Sequence, residues 1–244
     1  MNKKIITLGL VFITFFSSIA YATNLNQLER NYSTKLLYNF DANSYLPPNW
    51  FRPPVSARYT LLRRSEMSRV LRAFESFAQE YPTTVIKNNL KGVLFFKRLN
   101  FYGTNYGASY WDGYILMKCA RGNSTKYIVR EFHHEFSSIL IDRYDFDMHK
   151  WFSLGGTKYN FNQHSFLRHG LWGRDEHKRL FRQGFLTSYG KSNPENDVNI
   201  YAEYLFVYPK RLQKLSKKYP RIHNKTKMIK GFYCSIDNKF HFCQ

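Results

Sequence analysis

The sequence has few acidic residues, few cysteines and, beyond its first residues, no long apolar run. Its 17 Asp and Glu residues stand against 37 Lys and Arg residues, so the formal net charge is +20. A charge of this size and sign disfavours cationic partners and favours polyanions. The absence of any C-x-x-C spacing excludes a cysteine zinc ribbon and a thioredoxin-like redox site. No segment after residue 22 approaches the roughly 18 apolar residues of a membrane-spanning helix, so none is predicted in the mature chain.

The start of the chain has the pattern of a secretory signal peptide. Two lysines precede the apolar run Ile5–Phe16, and Ala20–Ala22 has the small-x-small pattern of a cleavage site. Residues 1–22 are therefore predicted to be removed during export. The mature chain would begin at Thr23 and be periplasmic or extracellular.

An exported basic chain meets a limited set of polyanions: anionic lipid headgroups, acidic envelope polysaccharides or a host surface. The basic residues are scattered and are not interleaved with aromatic residues as in a nucleic-acid-binding motif. An anionic envelope surface is therefore an expected partner, and nucleic acid is not. A solvated basic surface that only aids solubility is the simpler alternative.

The three cysteines allow at most one disulfide within the chain. Cys234 and Cys243 would close a short C-terminal loop and are the predicted pair. Cys119 lies in an apolar run and is expected to be a buried small hydrophobic residue.

The stretch 123–144 predicts one helix that carries His134 and Glu135 near its middle. Asn123 or Ser124 can cap its start, because a short polar side chain accepts a hydrogen bond from the first turn. Apolar residues recur along one broad face: Ile128, Phe132, Phe136, Ile139 and Leu140. The plain structural interpretation is a capped amphipathic helix with polar residues along its edge.

His134 and Glu135 also match the first half of the zinc-peptidase motif H-E-x-x-H. In that motif two histidines one turn apart bind one ion, and the glutamate acts on the attacking water. Ser138 stands at the position of the second histidine. A hydroxyl is a poorer zinc ligand than an imidazole, so the site needs another ligand or binds metal weakly. His133 projects about 100° away from His134 and does not replace the missing ligand. Candidates for a replacement are His149, His164 and His169.

The rest of the chain predicts an α+β fold. A helix is expected at Glu66–Tyr81, ended by Pro82. Strand-like runs are Thr84–Ile86, Val93–Tyr102 and Ala108–Cys119. The predicted organisation is an N-terminal arm at 23–60, a metallopeptidase-like domain at 61–220 and a C-terminal tail at 221–244.

A second informative helix is predicted from Pro194 to about Tyr208, with Asn193 as its N-cap. On this helix Glu203 lies in an apolar arc, where a carboxylate is costly unless it is paired or bound to a metal. Glu203 is therefore a candidate ligand. A buried structural glutamate with an Arg or Tyr partner is the alternative.

Together these segments resemble the gluzincin-type zinc metallopeptidases related to the catalytic domain of anthrax lethal factor. In that group a glycine-bearing edge strand precedes the H-E-x-x-H helix, and a later Ala-Glu pair supplies the third ligand. The matching residues are Gly107, Ala108, Ser109, Tyr110, His134, Glu135, Gly184, Phe185, Tyr189, Ser192, Asp197, Ala202 and Glu203. The match covers about half of the chain.

The resemblance implies a zincin-like metallopeptidase domain with a small mixed sheet, a glycine-bearing edge strand and an active-site helix. It implies zinc as cofactor, His134 and Glu203 as metal ligands and Glu135 as general base. Tyr110 or Tyr201 would donate a hydrogen bond to the developing oxyanion. The substrate would be a peptide or protein that pairs with the edge strand.

Two functions are consistent with these features. The first is a secreted or periplasmic zinc-dependent peptide hydrolase in which Glu135 activates the water held by the metal. The second is a catalytically inactive pseudo-peptidase that acts as a basic binding protein at the cell envelope. A histidine beside Ser138 in space would favour the first, and apolar side chains closing the pocket around Ser138 would favour the second.

Overall fold

The computed structural model describes residues 25–155, 159 and 175–243. The predicted signal peptide at 1–22 lies outside these residues. The described part of the chain has an α+β fold with a mixed sheet, as predicted. Within it, no helix is both long enough and apolar enough to cross a membrane.

The sheet and the helices are labelled in chain order. The strands are β1 (Lys35–Leu37), β2 (Arg58–Leu61), β3 (Gly92–Phe101), β4 (Thr104–Asn105), β5 (Ala108–Trp111) and β6 (Tyr114–Lys118). The helices are α1 (25–32), α2 (Met67–Ala78), α3 (Thr83–Asn89), α4 (Thr125–Arg143), α5 (Met148–Ser153), α6 (Lys178–Arg182), α7 (Pro194–Val207), α8 (Pro209–Lys218) and α9 (Pro220–Ile236).

The sheet is built around β3. Strands β1 and β6 run parallel to β3, whereas β2 and β4 are antiparallel to it. The strand order β1-β3-β6-β5 places β5 at one edge, antiparallel to β6. Gly107 directly precedes β5. The structure therefore contains the edge strand that the sequence predicted.

The prediction of one continuous strand at Ala108–Cys119 is wrong. The segment is a hairpin in which Ala108 pairs with Met117. Asp112 and Gly113 form the turn with positive φ angles of 47° and 77°. Asp-Gly is a preferred dipeptide for such two-residue turns, because both turn residues need φ above zero.

The prediction of a strand at Thr84–Ile86 is also wrong, since these residues lie in α3. Pro82 precedes the helix and cannot continue a sheet ladder, and one helical turn places both Val85 and Ile86 in the core. Packing therefore overrides the preference of β-branched residues for strands.

The sheet has a hydrophobic core on each face. On one face, Phe77 of α2 stacks on Phe132 of α4 with ring centroids 5.1 Å apart. On the other face, Leu46 and Trp50 of the predicted N-terminal arm pack against apolar residues such as Phe96. The arm also supplies β1 and β2 and thus contributes to the sheet.

Most of residues 221–244, predicted as a tail, belong to α9 and the loop that follows it. Ile229, Tyr233 and Phe240 from this segment are buried. The predicted disulfide between Cys234 and Cys243 is present. Cys119 is a free buried cysteine, as expected.

Candidate active site

Helix α4 carries the predicted motif through the middle of the protein. Ser124 is the cap, and its Oγ accepts a hydrogen bond from the backbone N–H of Tyr127 at 3.1 Å. The residues from Glu131 to Ile141 are buried on every side of the helix. Buried polar side chains on such a helix must find partners within the protein.

Helix α7 supplies those partners. Asn193 caps it by accepting a hydrogen bond from the N–H of Asn196 at 2.8 Å, and Pro194 is its first residue. Because both local signals are present, the predicted bounds of this helix agree with the structure. Helix α7 lies beside α4, so its buried polar residues face the motif.

The first predicted metal ligand meets the second across these helices. Nδ1 of His134 lies 2.9 Å from Oε1 of Glu203, although the residues are 69 positions apart. Nε2 of His134 lies 3.3 Å from Oδ1 of Asn196. Burial lowers the pKa of His134, but the hydrogen bond to Glu203 and the negative charges of nearby Glu residues outweigh burial and raise it. Both ring nitrogens of His134 thus lie near an oxygen atom of α7.

Glu135, the predicted general base, is buried beside this pair, with a residue exposure of 8%. Burial raises its pKa to about 8. The charge of His134 opposes this shift, whereas the carboxylates of Glu131, Glu195 and Glu203 add to it. In the described part of the chain, four carboxyl groups thus lie close to one another and to His134, namely those of Glu131, Glu135, Glu195 and Glu203.

Arg130, on α4, is a further basic side chain beside Glu203. Its Nε lies 3.8 Å from Oε2 of Glu203. Tyr204 and Tyr208 line the same small cavity, of about 230 Å³, as Arg130 and Glu203. Glu203, the second predicted ligand, thus borders this cavity, although its side chain is only 1% exposed.

Ser138 does not face a histidine in the described residues. Its Oγ donates a hydrogen bond to Oε1 of Glu195 at 2.6 Å and accepts one from Nδ2 of Asn199 at 2.8 Å. The pocket around it is thus polar. Ser138 therefore links α4 to α7 through side-chain hydrogen bonds. In the motif this position is that of the second histidine.

Among the described residues, no candidate replacement histidine lies at the site. His149 is exposed on α5. His164 and His169 lie outside the described residues. His133 points away from His134, as predicted: its Nδ1 lies 3.0 Å from the hydroxyl of Tyr81, and burial lowers its pKa to about 3.

The two candidate oxyanion donors lie in different places. Tyr201 is fully buried, and its hydroxyl donates to the carbonyl of Gly184 at 2.9 Å. Tyr110 is partly exposed on β5, and its hydroxyl donates to Oδ2 of Asp142 at 3.0 Å. Tyr110 also interacts with Glu195, which holds Ser138. Only Tyr110 therefore borders the motif.

Several residues of the site were missed by sequence reasoning. Asn196 and Asn199 were missed, although they precede the predicted ligand Glu203 by seven and four residues on α7 and share one face with it. These polar residues on one face of a largely apolar helix could have been recognised in the sequence. Glu195 and Arg130 carried no such signal, because their roles depend on how α4 and α7 pack.

His134 and Glu203 are residue types that bind divalent cations, but the described residues do not form a full ligand set. Within the described part of the chain, no group of three His, Cys, Asp or Glu side chains is arranged to hold a metal ion. His134 and Glu203 are nevertheless adjacent, and Glu135 carries a raised pKa among further carboxyl groups. A bound cation would offset the negative charge of these carboxylates.

Comparison with known proteins identifies a similar fold and the family of the chain. No curated protein matches the sequence. The fold is similar to that of a crystal structure titled "a putative zinc-binding metallo-peptidase" from Bacteroides caccae ATCC 43185, with a TM-score of 0.59 and 13% identity over 93% of this chain and 88% of that chain. The pattern of the family described as "Putative zinc-binding metallo-peptidase" matches residues 98–242, which is more than half of the sequence. The chain belongs to this family of zinc-binding metallo-peptidases.

Proposed function

We propose that this protein is a zinc-dependent peptide hydrolase with a weakly held metal. The observation that carries the proposal is the 2.9 Å approach of His134 to Glu203. An imidazole and a carboxylate from separate helices meet beside a second acidic residue, Glu135, on the helix that bears the motif. Family membership supports the same reaction class.

In this proposal His134 and Glu203 hold the ion, and the hydroxyl of Ser138 lies at the third position. Zinc, when bound, supplies a Lewis acid that polarises a peptide carbonyl and lowers the pKa of the attacking water. Glu135 takes the proton from that water and delivers it to the leaving amine. Tyr110 is the proposed donor to the oxyanion, because it lies partly exposed on β5 beside the motif helix, whereas Tyr201 is fully buried.

The substrate would bind as an extended strand along β5. Among the described strands β5 pairs only with β6, so its other edge can accept a peptide backbone. Gly107 keeps the start of this edge close to α4: a Cβ there would lie 2.5 Å from the hydroxyl of Tyr127 and 3.3 Å from Oε2 of Glu131. A peptide on β5 would therefore pass beside the motif helix.

A second function, a pseudo-peptidase that binds peptides without cleaving them, is favoured by a different observation. Both ring nitrogens of His134 are engaged within the protein, by Glu203 and Asn196. Ser138 is likewise held by Glu195 and Asn199. These hydrogen bonds stabilise the polar cluster without a cation.

The measurement that separates the two functions is the metal content of the mature chain from Thr23, purified without chelator. For the hydrolase, about one zinc per chain is expected, with loss in His134→Ala and Glu203→Ala. Glu135→Gln should keep the metal and abolish turnover of a peptide library, because only the proton carrier is removed. No metal in the wild type after zinc is added back would reject the hydrolase and leave the binding protein.

We also propose that the protein is exported. The signal-like residues 1–22 support this, and the large basic charge is consistent with action at an anionic envelope surface. Expression of the full chain in a Gram-negative host tests it. Periplasmic protein beginning at Thr23 is expected, and full-length protein retained in the cytoplasm would contradict export.

A further inference from the structure

A second cavity, of about 480 Å³, has walls that are strongly basic. Four of its lining residues are cationic, namely Arg63, Arg69, Lys97 and Arg121, and one is acidic, Glu66. The formal charge of the lining is therefore +3. None of these residues belongs to the candidate active site, so the cavity requires an explanation of its own.

Arg69 binds the loop that carries Arg121. The guanidinium group of Arg69 on α2 donates hydrogen bonds to the carbonyls of Cys119 and Ala120, at 3.3 and 3.1 Å, and to the carbonyl of Asn123. These carbonyls belong to the loop between β6 and α4. Arg69 thus fastens the loop that carries Arg121 against α2 and adds its own charge to the wall.

Lys97 reaches the cavity through an irregularity in the sheet. Thr60 pairs with Arg98 and Leu61 pairs with Phe96, so Lys97 is an extra residue at a shift in register between β2 and β3. Such a bulge changes the direction of a side chain relative to a regular strand. Lys97 has no pairing partner on β2 because of this bulge, and its side chain lines the cavity.

The single carboxylate in the wall does not cancel these charges. Oε2 of Glu66 accepts a hydrogen bond from the backbone N–H of Arg63 at 3.2 Å, at the start of the helical segment that leads into α2. Its role is local capping. Cationic groups from three separate segments of the chain therefore line this one cavity.

We propose that this cavity binds a sulfate or phosphate ester on a sugar residue of a soluble polyanion. Arginine matches the oxygens of such groups with paired N–H donors. The volume suits a ligand larger than one tetrahedral anion, because cavities of about 300–1,000 Å³ hold ligands of several rings or groups. Two serines in the wall, Ser65 and Ser68, provide partners for sugar hydroxyls.

A soluble chain fits this cavity better than a membrane surface does. Basic sites that act on membranes are commonly accompanied by apolar side chains that enter the lipid. The exposed large apolar residues of the described chain are Tyr102, Trp111, Tyr144 and Phe152, and none of them lines the cavity. This assignment does not depend on the peptidase proposal.

The test is calorimetric titration of the mature protein with dextran sulfate, glucose 6-phosphate and neutral dextran. Lys97→Gln with Arg121→Gln should weaken binding of dextran sulfate at least tenfold. The matched control, Lys217→Gln with Lys218→Gln, removes the same charge from α8 and should stay within twofold of the wild type. Neutral dextran should not bind, and glucose 6-phosphate should compete with dextran sulfate if phosphate esters are also accepted.

Three results would overturn the proposal: no binding of dextran sulfate to the wild type, equal losses in both double variants, or binding of phosphatidylglycerol vesicles alone through Lys97 and Arg121. Equal losses would mean general attraction by net charge. If the first double variant melts at a lower temperature, Arg63→Gln with Arg121→Gln tests the same cavity from two exposed positions. Metal content and peptide hydrolysis should be the same in all of these variants.

Discussion

The ammonium group of Lys225 is paired with Oδ2 of Asp197 in the interior, where both side chains are fully buried. The same carboxylate oxygen accepts hydrogen bonds from Nε1 of Trp151 at 2.9 Å and from the hydroxyl of Tyr159 at 2.7 Å. Nζ also lies 4.7 Å from the ring centroid of Phe185. This cluster joins α9 to α5 and to α7, the helix that carries the proposed metal ligand.

Lys225→Met should therefore destabilise the whole protein. It leaves the carboxylate of Asp197 buried without its counter-charge, which typically costs about 3–5 kcal/mol. The matched control is Lys227→Met on the exposed side of α9, which should change the free energy of unfolding by less than about 0.5 kcal/mol. Urea unfolding of both variants measures the difference. Equal stabilities would mean that the buried pair does not hold α9 in place.

The starts of the helices could be predicted from the sequence, because neighbouring residues determine them. Asn193 and Pro194 mark the start of α7, and Ser124 marks the start of α4, because caps act within one turn. The motif order also placed His134 with Glu203. The relationship to lethal factor remains a prediction.

The partners within the site could not be predicted in the same way. The contact of Ser138 with Glu195, which lies 57 positions later in the sequence, depends on how α4 and α7 pack. The secondary-structure preferences of neighbouring residues do not determine which residues of two helices come into contact. The Asp112-Gly113 turn, by contrast, was encoded locally and was overlooked, because the apolar residues on both sides of it resemble one long strand.

Ser138→His should restore the missing ligand. The new imidazole would lie one turn from His134 on the same side of α4. If His134 and Glu203 hold zinc, the variant should bind zinc at least tenfold more tightly, which is about 1.4 kcal/mol. Competition with a chelating dye measures the affinity. Ser138→Ala is the control, because it loses the same hydrogen bonds without adding an imidazole, and equal affinities in the two variants would argue against a metal at this position.

Loss of the disulfide should destabilise the C-terminal loop and the core beneath it. Cys234 and Cys243 are nine residues apart, and a loop of this length corresponds to about 2.5 kcal/mol in the chain-entropy account. Phe240, which lies within the loop, is 1% exposed and packs against Phe206 and Tyr233. Replacing both cysteines with serine should lower the free energy of unfolding by about this amount.

Treatment with a reductant is the matched control for the double serine variant. Dithiothreitol should lower the stability of the wild type to that of the double serine variant and leave the variant unchanged. Cys119 is buried and free in both proteins, so it does not contribute to the difference. A wild type whose unfolding is insensitive to reductant would show that the loop is held by packing alone.

The contact between Glu176 and Arg211 should make stability depend on pH in the acidic range. Burial acts to raise the pKa of Glu176, but hydrogen bonds from Arg211 and Tyr204 outweigh burial and lower it below its ordinary value. A carboxyl group with a lowered folded-state pKa contributes stability above its unfolded-state pKa, and this contribution is lost as the pH falls through the folded-state pKa. A double-mutant cycle with Glu176→Gln and Arg211→Gln should give a coupling of about 0.2–1 kcal/mol at pH 7, because the pair is partly exposed. The coupling should vanish once the pH has fallen below the lowered folded-state pKa of Glu176, because the carboxyl group is then protonated in both states. A coupling that persists in strong acid would mean that packing, and not charge, joins these residues.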